Sequence, residues 1–211
     1  MIEVFGWVAA AIGLAAGVPQ LIRILSSRSS AGVSLSLWQL NAATTAAWAV
    51  HGILTDTPQM EWPNVIGASV AVGILVFVLR DRRQRFLPQL ILPVVVAVAL
   101  SCTDVYLGAM VFGFVVAVPQ LVGQLAQTRE LVIAPDVSGV SLGFLVVFWV
   151  VQTMWWIFGI VQVDWALIVC AGFMVITTTM NVAIYAVRWT RDRARRRSVD
   201  TAPQAQAELA G

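Results

Sequence analysis

The charged residues of this chain stand between long apolar stretches and almost never inside them. The hydrocarbon core of a bilayer is about 30 Å thick, and one helix crosses it with about 20 residues. Apolar runs of that length, each closed off by charge, dictate membrane-spanning helices, because lipid offers no partner to an unpaired backbone group. Composition points the same way. Of the 211 residues, 59% are hydrophobic and 11% charged, with a mean hydropathy of +0.84; an ordinary soluble domain is about 25% charged. One soluble core cannot hide so much apolar surface, so the excess faces lipid. These features exclude a secreted disulfide scaffold, a cytosolic enzyme, a nucleic-acid-binding domain and a disordered chain.

Spans are expected near 4–25, 35–54, 60–79, 86–102, 105–126, 140–161 and 165–187. The N-terminus has no basic region ahead of its apolar stretch, so it reads as a first span rather than a cleavable leader. The fourth is short, with Pro88 and Pro93 in its first half. Charge decides between six spans and seven. All 13 basic residues are arginine, at 23 and 28, at 80–85, at 129 and from 188 to 197. With seven spans every one of them falls on a single face, which the positive-inside rule makes cytoplasmic. Glu3, Asp56, Glu61, Asp104 and Asp164 fall on the other. The expected topology therefore has the N-terminus outside and the C-terminus inside, with a basic segment and then a disordered tail at 191–211. The absence of Lys excludes a retinal Schiff base, which requires a lysine amine. Arginine in place of lysine, with abundant Ala and Val, suggests a GC-rich genome and hence a bacterial inner membrane. Cys102 and Cys170 have neither metal-ligand nor redox spacing and read as small apolar fillers.

A search for internal repeats is the most informative step. Val-Pro-Gln-Leu occupies residues 18–21 and again 118–121, while Gly-Val-Ser-Leu occupies 32–35 and again 139–142. The offset grows from 100 to 107 between the two pairs and then holds, so that Trp48 falls on Trp155 and Gly52 on Gly159. The fold class expected is an all-α membrane protein of two parallel three-helix repeats, residues 1–85 and 104–190, joined by a linker helix at 86–103. Three spans invert the chain across the membrane and a fourth restores its direction, so both units insert the same way up and pair about an axis along the membrane normal.

Pro-Gln near the end of an apolar span, a short basic loop, Gly-Val-Ser-Leu and a second span, all occurring twice, resemble the PQ-loop superfamily and, within it, the SWEET sugar transporters. The resemblance covers roughly residues 4–188. It implies that Pro19 with Gln20, and Pro119 with Gln120, are the family's hinge positions. Physical reasoning reaches a compatible reading: Pro19 and Pro119 leave the carbonyls of Ala15 and Val115 without helical partners, which eases bending, and the adjacent glutamines are placed to satisfy freed backbone groups. Trp48 and Asn64 resemble the Trp–Asn pair that lines the SWEET sugar site, with Trp155 as the second tryptophan. An indole face stacks on the apolar face of a sugar ring while an amide bonds its hydroxyls. In the second unit the Asn64 equivalent is Ala171, so the site is expected to be asymmetric. Asn41, Gln152 and Asn181 are secondary candidates for its polar lining. Trp7, Trp38, Trp62, Trp165 and Trp189 are expected in the interfacial belts.

Proton-coupled carriers normally use a carboxylate inside the membrane. Here every Asp and Glu maps to a loop, a helix end or a tail, with Asp104 and Asp164 at the outer ends of spans 5 and 7. His51, the single histidine, reads as capped or solvated rather than as a proton relay. The expected function is therefore a uniporter for a small neutral polar solute, a mono- or disaccharide. A proton-coupled amino-acid carrier of the same superfamily and a non-transporting membrane scaffold are the alternatives. No catalytic group, cofactor, metal or nucleic-acid partner is expected. The expected partners are a small-molecule solute and the lipid bilayer, with a monomer sufficient in principle and pairing with a second copy left open.

Overall fold

A computed structural model describes residues 1–27, 30, 33–134 and 140–209; the side chains of 16–21, 23–25, 27 and 192–209 fall outside that description. Seven α-helices follow one another among the described residues: α1 (Ile2–Ser27), α2 (Leu35–Leu54), α3 (Pro58–Asp81), α4 (Phe86–Leu107), α5 (Ala109–Ile133), α6 (Leu142–Gln162) and α7 (Trp165–Leu209). Five of them, α3 to α6 and α7 as far as Arg191, are long and apolar enough to cross a membrane on those grounds alone. In α2 the polar residues Gln39, Asn41, Thr44, Thr45 and His51 lower the hydropathy, although its 20 residues reach about 30 Å. The expected disordered tail lies in the segment whose side chains are not described.

The fourth helix is longer than expected. It continues to Leu107 and hands over to α5 through Gly108 alone, which caps both helices at φ 87°, ψ 163°. A backbone of that kind is open to glycine and strained for other residues, so one residue makes the whole turn. Asp104 therefore sits in the last turn of α4, not at the start of the fifth span. Pro88 causes no break because the first turn of a helix needs no N–H donors there. Only Pro93, Leu100 and Asp104 of α4 are buried, and Leu87, Ile91, Val94, Val95 and Val98 face outward, as a lipid-facing helix requires.

Within the first half α3 packs against both α1 and α2, and within the second half α7 packs against both α5 and α6. Helix α4 lies on α2 and α5, while α1 meets α6 and α2 meets α5 across the middle. Local backbone detail repeats with the spacing found in the sequence. Ser34 and Ser141 open α2 and α6, each accepting from the N–H three residues on at 3.3 Å. Asp56 and Val163 both take a left-handed conformation, at φ 50° and 57°. The amides of Thr57 and Asp164 then donate to the carbonyls of Gly52 and Gly159, each at 2.8 Å.

These turns bring the helices of each pair unusually close. A Cβ on Gly52 would stand 2.5 Å from the backbone nitrogen of Glu61, and one on Gly159 would stand 2.6 Å from Leu167 Cβ and 3.1 Å from the nitrogen of Ile168. Small residues permit such approaches, and van der Waals packing then holds the pair together in lipid. The main buried cluster sits just beside these crossings, with Trp48, Met60, Phe112, Phe158 and Leu167 at its centre.

At the opposite end arginines hold the connecting segments. Arg82 donates to the carbonyls of Ser30 at 2.9 Å and Val33 at 2.6 Å, and the Asp81 carboxylate accepts from the Ser30 N–H and hydroxyl at 2.8 and 2.6 Å. Arg188 donates to the carbonyls of Leu131, Val132 and Ala134 at 3.0, 2.7 and 2.7 Å, capping α5. These arginines satisfy backbone groups.

Gly52→Val places its side chain against the backbone of α3 and is expected to cost about 2 kcal/mol, seen as a lower thermal-unfolding midpoint in detergent. Gly73→Ala, whose added carbon meets nothing within 4 Å, is expected to leave the midpoint unchanged or raise it.

Candidate functional site: a sealed end above a polar cavity

The end of the bundle formed by the α2–α3, α4–α5 and α6–α7 turns carries acidic residues and no arginine. It is closed by two layers. The inner layer is apolar: Phe112 is fully buried, and Phe158 and Met60 are nearly so. Trp48 meets Phe112 edge-on at 5.0 Å, and Trp155 meets Phe158 edge-on at 5.7 Å. Both tryptophans thus touch one aromatic seal, from α2 and from α6. Trp48 is buried and Trp155 half-buried.

The second layer is polar and corrects an expectation. His51 has no exposed surface. Its Nδ1 lies 2.7 Å from Oδ2 of Asp104, and its Nε2 lies 3.1 Å from Oδ2 of Asp164. The ring stacks on Phe112 at 5.2 Å and stands edge-on to Trp48 at 5.5 Å. The histidine is capped at both nitrogens but not solvated, and ionisable groups lie inside the bundle. The cause is the extended α4, which carries Asp104 inward beneath the turn, together with the turn that sets Asp164 at the start of α7. Asp164 also caps that helix, accepting from the N–H groups of Ala166 and Leu167 at 2.9 and 3.2 Å.

The other candidates are spread over two levels. Asn64 is half-buried in α3, and its amide nitrogen donates to the Met60 carbonyl at 2.8 Å. Ala171 is buried in α7 beside Cys170. Gln120 donates to Cys170 Sγ at 3.7 Å instead of turning to freed carbonyls. Its place explains this: the longer α5 puts Pro119 and Gln120 in mid-helix rather than near one end. The side chains of Pro19 and Gln20 are not described. Asn41 and Gln152 are half-buried in α2 and α6. Trp38 departs from the belt, packing between α2 and α3 beside Ile74 and Leu75.

Asn181, a secondary candidate, proves central to a second feature. It is fully buried in α7. Its Nδ2 donates to Oε1 of Gln124 at 2.9 Å, and its Oδ1 accepts from the Thr128 hydroxyl. Beside it lies a cavity of about 200 Å³ toward the arginine-rich end, bounded by α5, α6 and α7. Gln124, Gln127, Thr178 and Asn181 supply polar groups to its wall, while Phe144 and Phe148, nearly parallel at 6.0 Å, supply aromatic surface. None of its lining residues is charged. Amides and hydroxyls beside aromatic faces are the chemistry that binds a polyhydroxylated neutral molecule.

Comparisons with known proteins agree with this architecture. The family model for the PQ loop repeat matches residues 1–59. The sugar transporter SemiSWEET of Bradyrhizobium diazoefficiens is 31% identical over 80 residues, which cover 38% of this chain and 93% of that protein. The fold is similar to a solved eukaryotic SWEET transporter, with a TM-score of 0.71 and 14% identity over 90% of this chain and 99% of that one. At that identity the structural likeness speaks for the fold alone. The SemiSWEET alignment, which takes in nearly that whole protein, carries the assignment: this chain belongs to the PQ-loop superfamily, in its SWEET-like branch.

Proposed function

We propose that the chain is a membrane facilitator for a small neutral polar solute, a mono- or disaccharide, working by alternating access. In this reading α1–α3 and α5–α7 are two parallel units and α4 is the linker that restores chain direction. The turns repeated 107 residues apart support that division, as does a relative less than half as long as this chain. The acidic end faces outward and the arginine-rich end faces the cytoplasm.

The observation that carries the proposal is the stacking of a dry seal over an uncharged cavity lined by amides and aromatic rings. A carrier caught between openings needs one end shut and a solute-compatible space behind it. A charged solute would need a countercharge in that wall, and none lines it. Trp48, Trp155, Asn64 and Ala171 form the level against the seal; Gln124 and Asn181 form the level below. With Ala171 where the first unit has Asn64, the amides of the second unit are Gln120, held against Cys170, and, deeper, Asn181. Pro19 and Pro119 are the proposed bending points that let the ends open in turn.

The proton-coupled reading gains one specific observation, the buried His51–Asp104–Asp164 cluster. Purified protein in liposomes separates the two. Counterflow of labelled glucose or sucrose with no pH gradient supports the facilitator, whereas uptake of an amino acid only under an inward proton gradient supports the coupled carrier. Flux of no solute leaves the scaffold.

Trp48→Ala removes an aromatic wall worth about 1 kcal/mol beyond its area and is expected to lower sugar counterflow by about tenfold or more. Asn181→Leu leaves Gln124 and Thr128 without their partner in a buried site, at a cost of about 1–3 kcal/mol. It is expected to lower both the unfolding midpoint and the counterflow rate.

A further inference from the structure

The imidazole of His51 stands between two carboxylates, with one oxygen facing each ring nitrogen at hydrogen-bonding distance. A neutral imidazole has one N–H and one lone pair. With both carboxylates ionised, that lone pair would be turned against a carboxylate oxygen in a site whose side chains are 1%, 5% and 7% exposed. An imidazolium removes the conflict, since both nitrogens then donate and each charge gains a partner. A shared metal ion does not fit, because the two ring nitrogens point away from each other and the carboxylates flank the ring rather than converging on one point.

Among the described residues nothing else supplies that positive charge. Among the elements packed here, α3 contributes Glu61, which is half-buried, and the α2–α3 turn contributes exposed Asp56. Glu3 of α1 is exposed, as are Cys102 and Tyr106 of α4, and Cys170 of α7 is engaged by Gln120. Helix α5 presents Phe112, and the turns at this end, α2–α3, α4–α5 and α6–α7, carry no arginine. The cluster ties α2 to α4 and, across the two halves of the chain, to the start of α7.

We propose that His51, Asp104 and Asp164 form a proton-binding latch, in which a doubly protonated imidazole clamps the acidic end shut and opening of that end returns the proton to water on the same side. The inference goes beyond solute transport and rests on the reading that this end opens during the cycle. The sign follows from linkage. The closed latch keeps its proton. In the open state His51 meets water, where an imidazole is mostly neutral above about pH 6.5. Above that pH opening releases a proton and becomes easier by up to about tenfold per unit; below it both states hold the proton and opening does not vary with pH. The proton does not cross the membrane, so the latch tunes the rate of a facilitator without coupling it to a gradient.

His51 is the single histidine of the chain, so protein labelled with ¹⁵N-histidine, carrying a histidine-free tag and reconstituted in lipid nanodiscs, yields one imidazole signal. The expected spectrum at pH 7.5 shows both nitrogens protonated in the wild type. In Asp164→Asn, which keeps an oxygen acceptor to cap α7, one carboxylate remains and a neutral ring donating to Asp104 suffices, so one nitrogen is expected to be unprotonated at the same pH. A neutral imidazole in the wild type at pH 7.5 overturns the site. The second measurement is glucose counterflow in liposomes with equal pH on both sides. A rate that rises at least threefold from pH 6.5 to 8, with the slope lost in His51→Gln whatever its absolute rate, supports the latch. An imidazolium accompanied by a flat wild-type profile overturns the latch. The spectrum needs no solute, so an absence of sugar flux would sink the transport reading while leaving the proton site standing.

Discussion

The backbone-to-backbone approach at Gly52 and Gly159 is the contact on which the rest of the acidic end depends. In lipid there is little hydrophobic gain in pressing two apolar helices together, so closeness has to come from shape. A glycine at each crossing lets α2 settle on the start of α3, and α6 on the start of α7, with no side chain between. The left-handed residues Asp56 and Val163 then fix how each following helix leaves its turn. Met60 and Leu167 are thereby driven into the middle, where they meet Phe112 and Phe158. The aromatic seal is a consequence of two tight turns more than of aromatic attraction.

On that dry platform the electrostatics of the acidic end become specific. A carboxylate taken from water costs several kcal/mol unless it is paired and hydrogen-bonded. Asp164 recovers part of that cost from the N-terminus of α7, through two backbone N–H groups and the positive end of the helix dipole. Asp104, at the C-terminal end of α4, has the dipole against it and depends on His51. The three residues therefore form a unit whose members are stable in the interior only together.

Sequence reasoning went furthest where the repeat applied. The offset of 107 set Ser34 against Ser141 and Gly52 against Gly159, and the structure gives each pair one local role, a helix cap and a close crossing, because both copies write the same turn with the same local chemistry. It went wrong at the α4–α5 joint, which belongs to no repeat. There the only signal was Gly108, and its effect was to move Asp104 from a loop into a helix. The polar cluster stayed hidden for a related reason. Its members are 53 and 113 residues apart from His51, and the repeat pairs His51 with Phe158 and Asp164 with Thr57. No periodic pattern joins them. A readable trace did exist: a histidine and two aspartates at one end of an apolar bundle with no arginine nearby.

The two halves differ in ways that divide labour between them. The first unit brings His51, Trp48 and Asn64 to the acidic end, while the second brings Phe158, Trp155 and Ala171 to the equivalent places. Position 171 is a buried alanine, its neighbour Cys170 takes the half-buried Gln120 amide, and the fully buried amide of the second unit stands ten residues on, about 15 Å deeper, at Asn181. Hydrating groups near the seal would lower the cost of separating His51 from Asp164, because water admitted there could solvate both. The polar lining is asymmetric and so is the histidine cluster: the half with alanine at 171 is the half that supplies Asp164, so His51 joins the two halves at the level where their residues differ most.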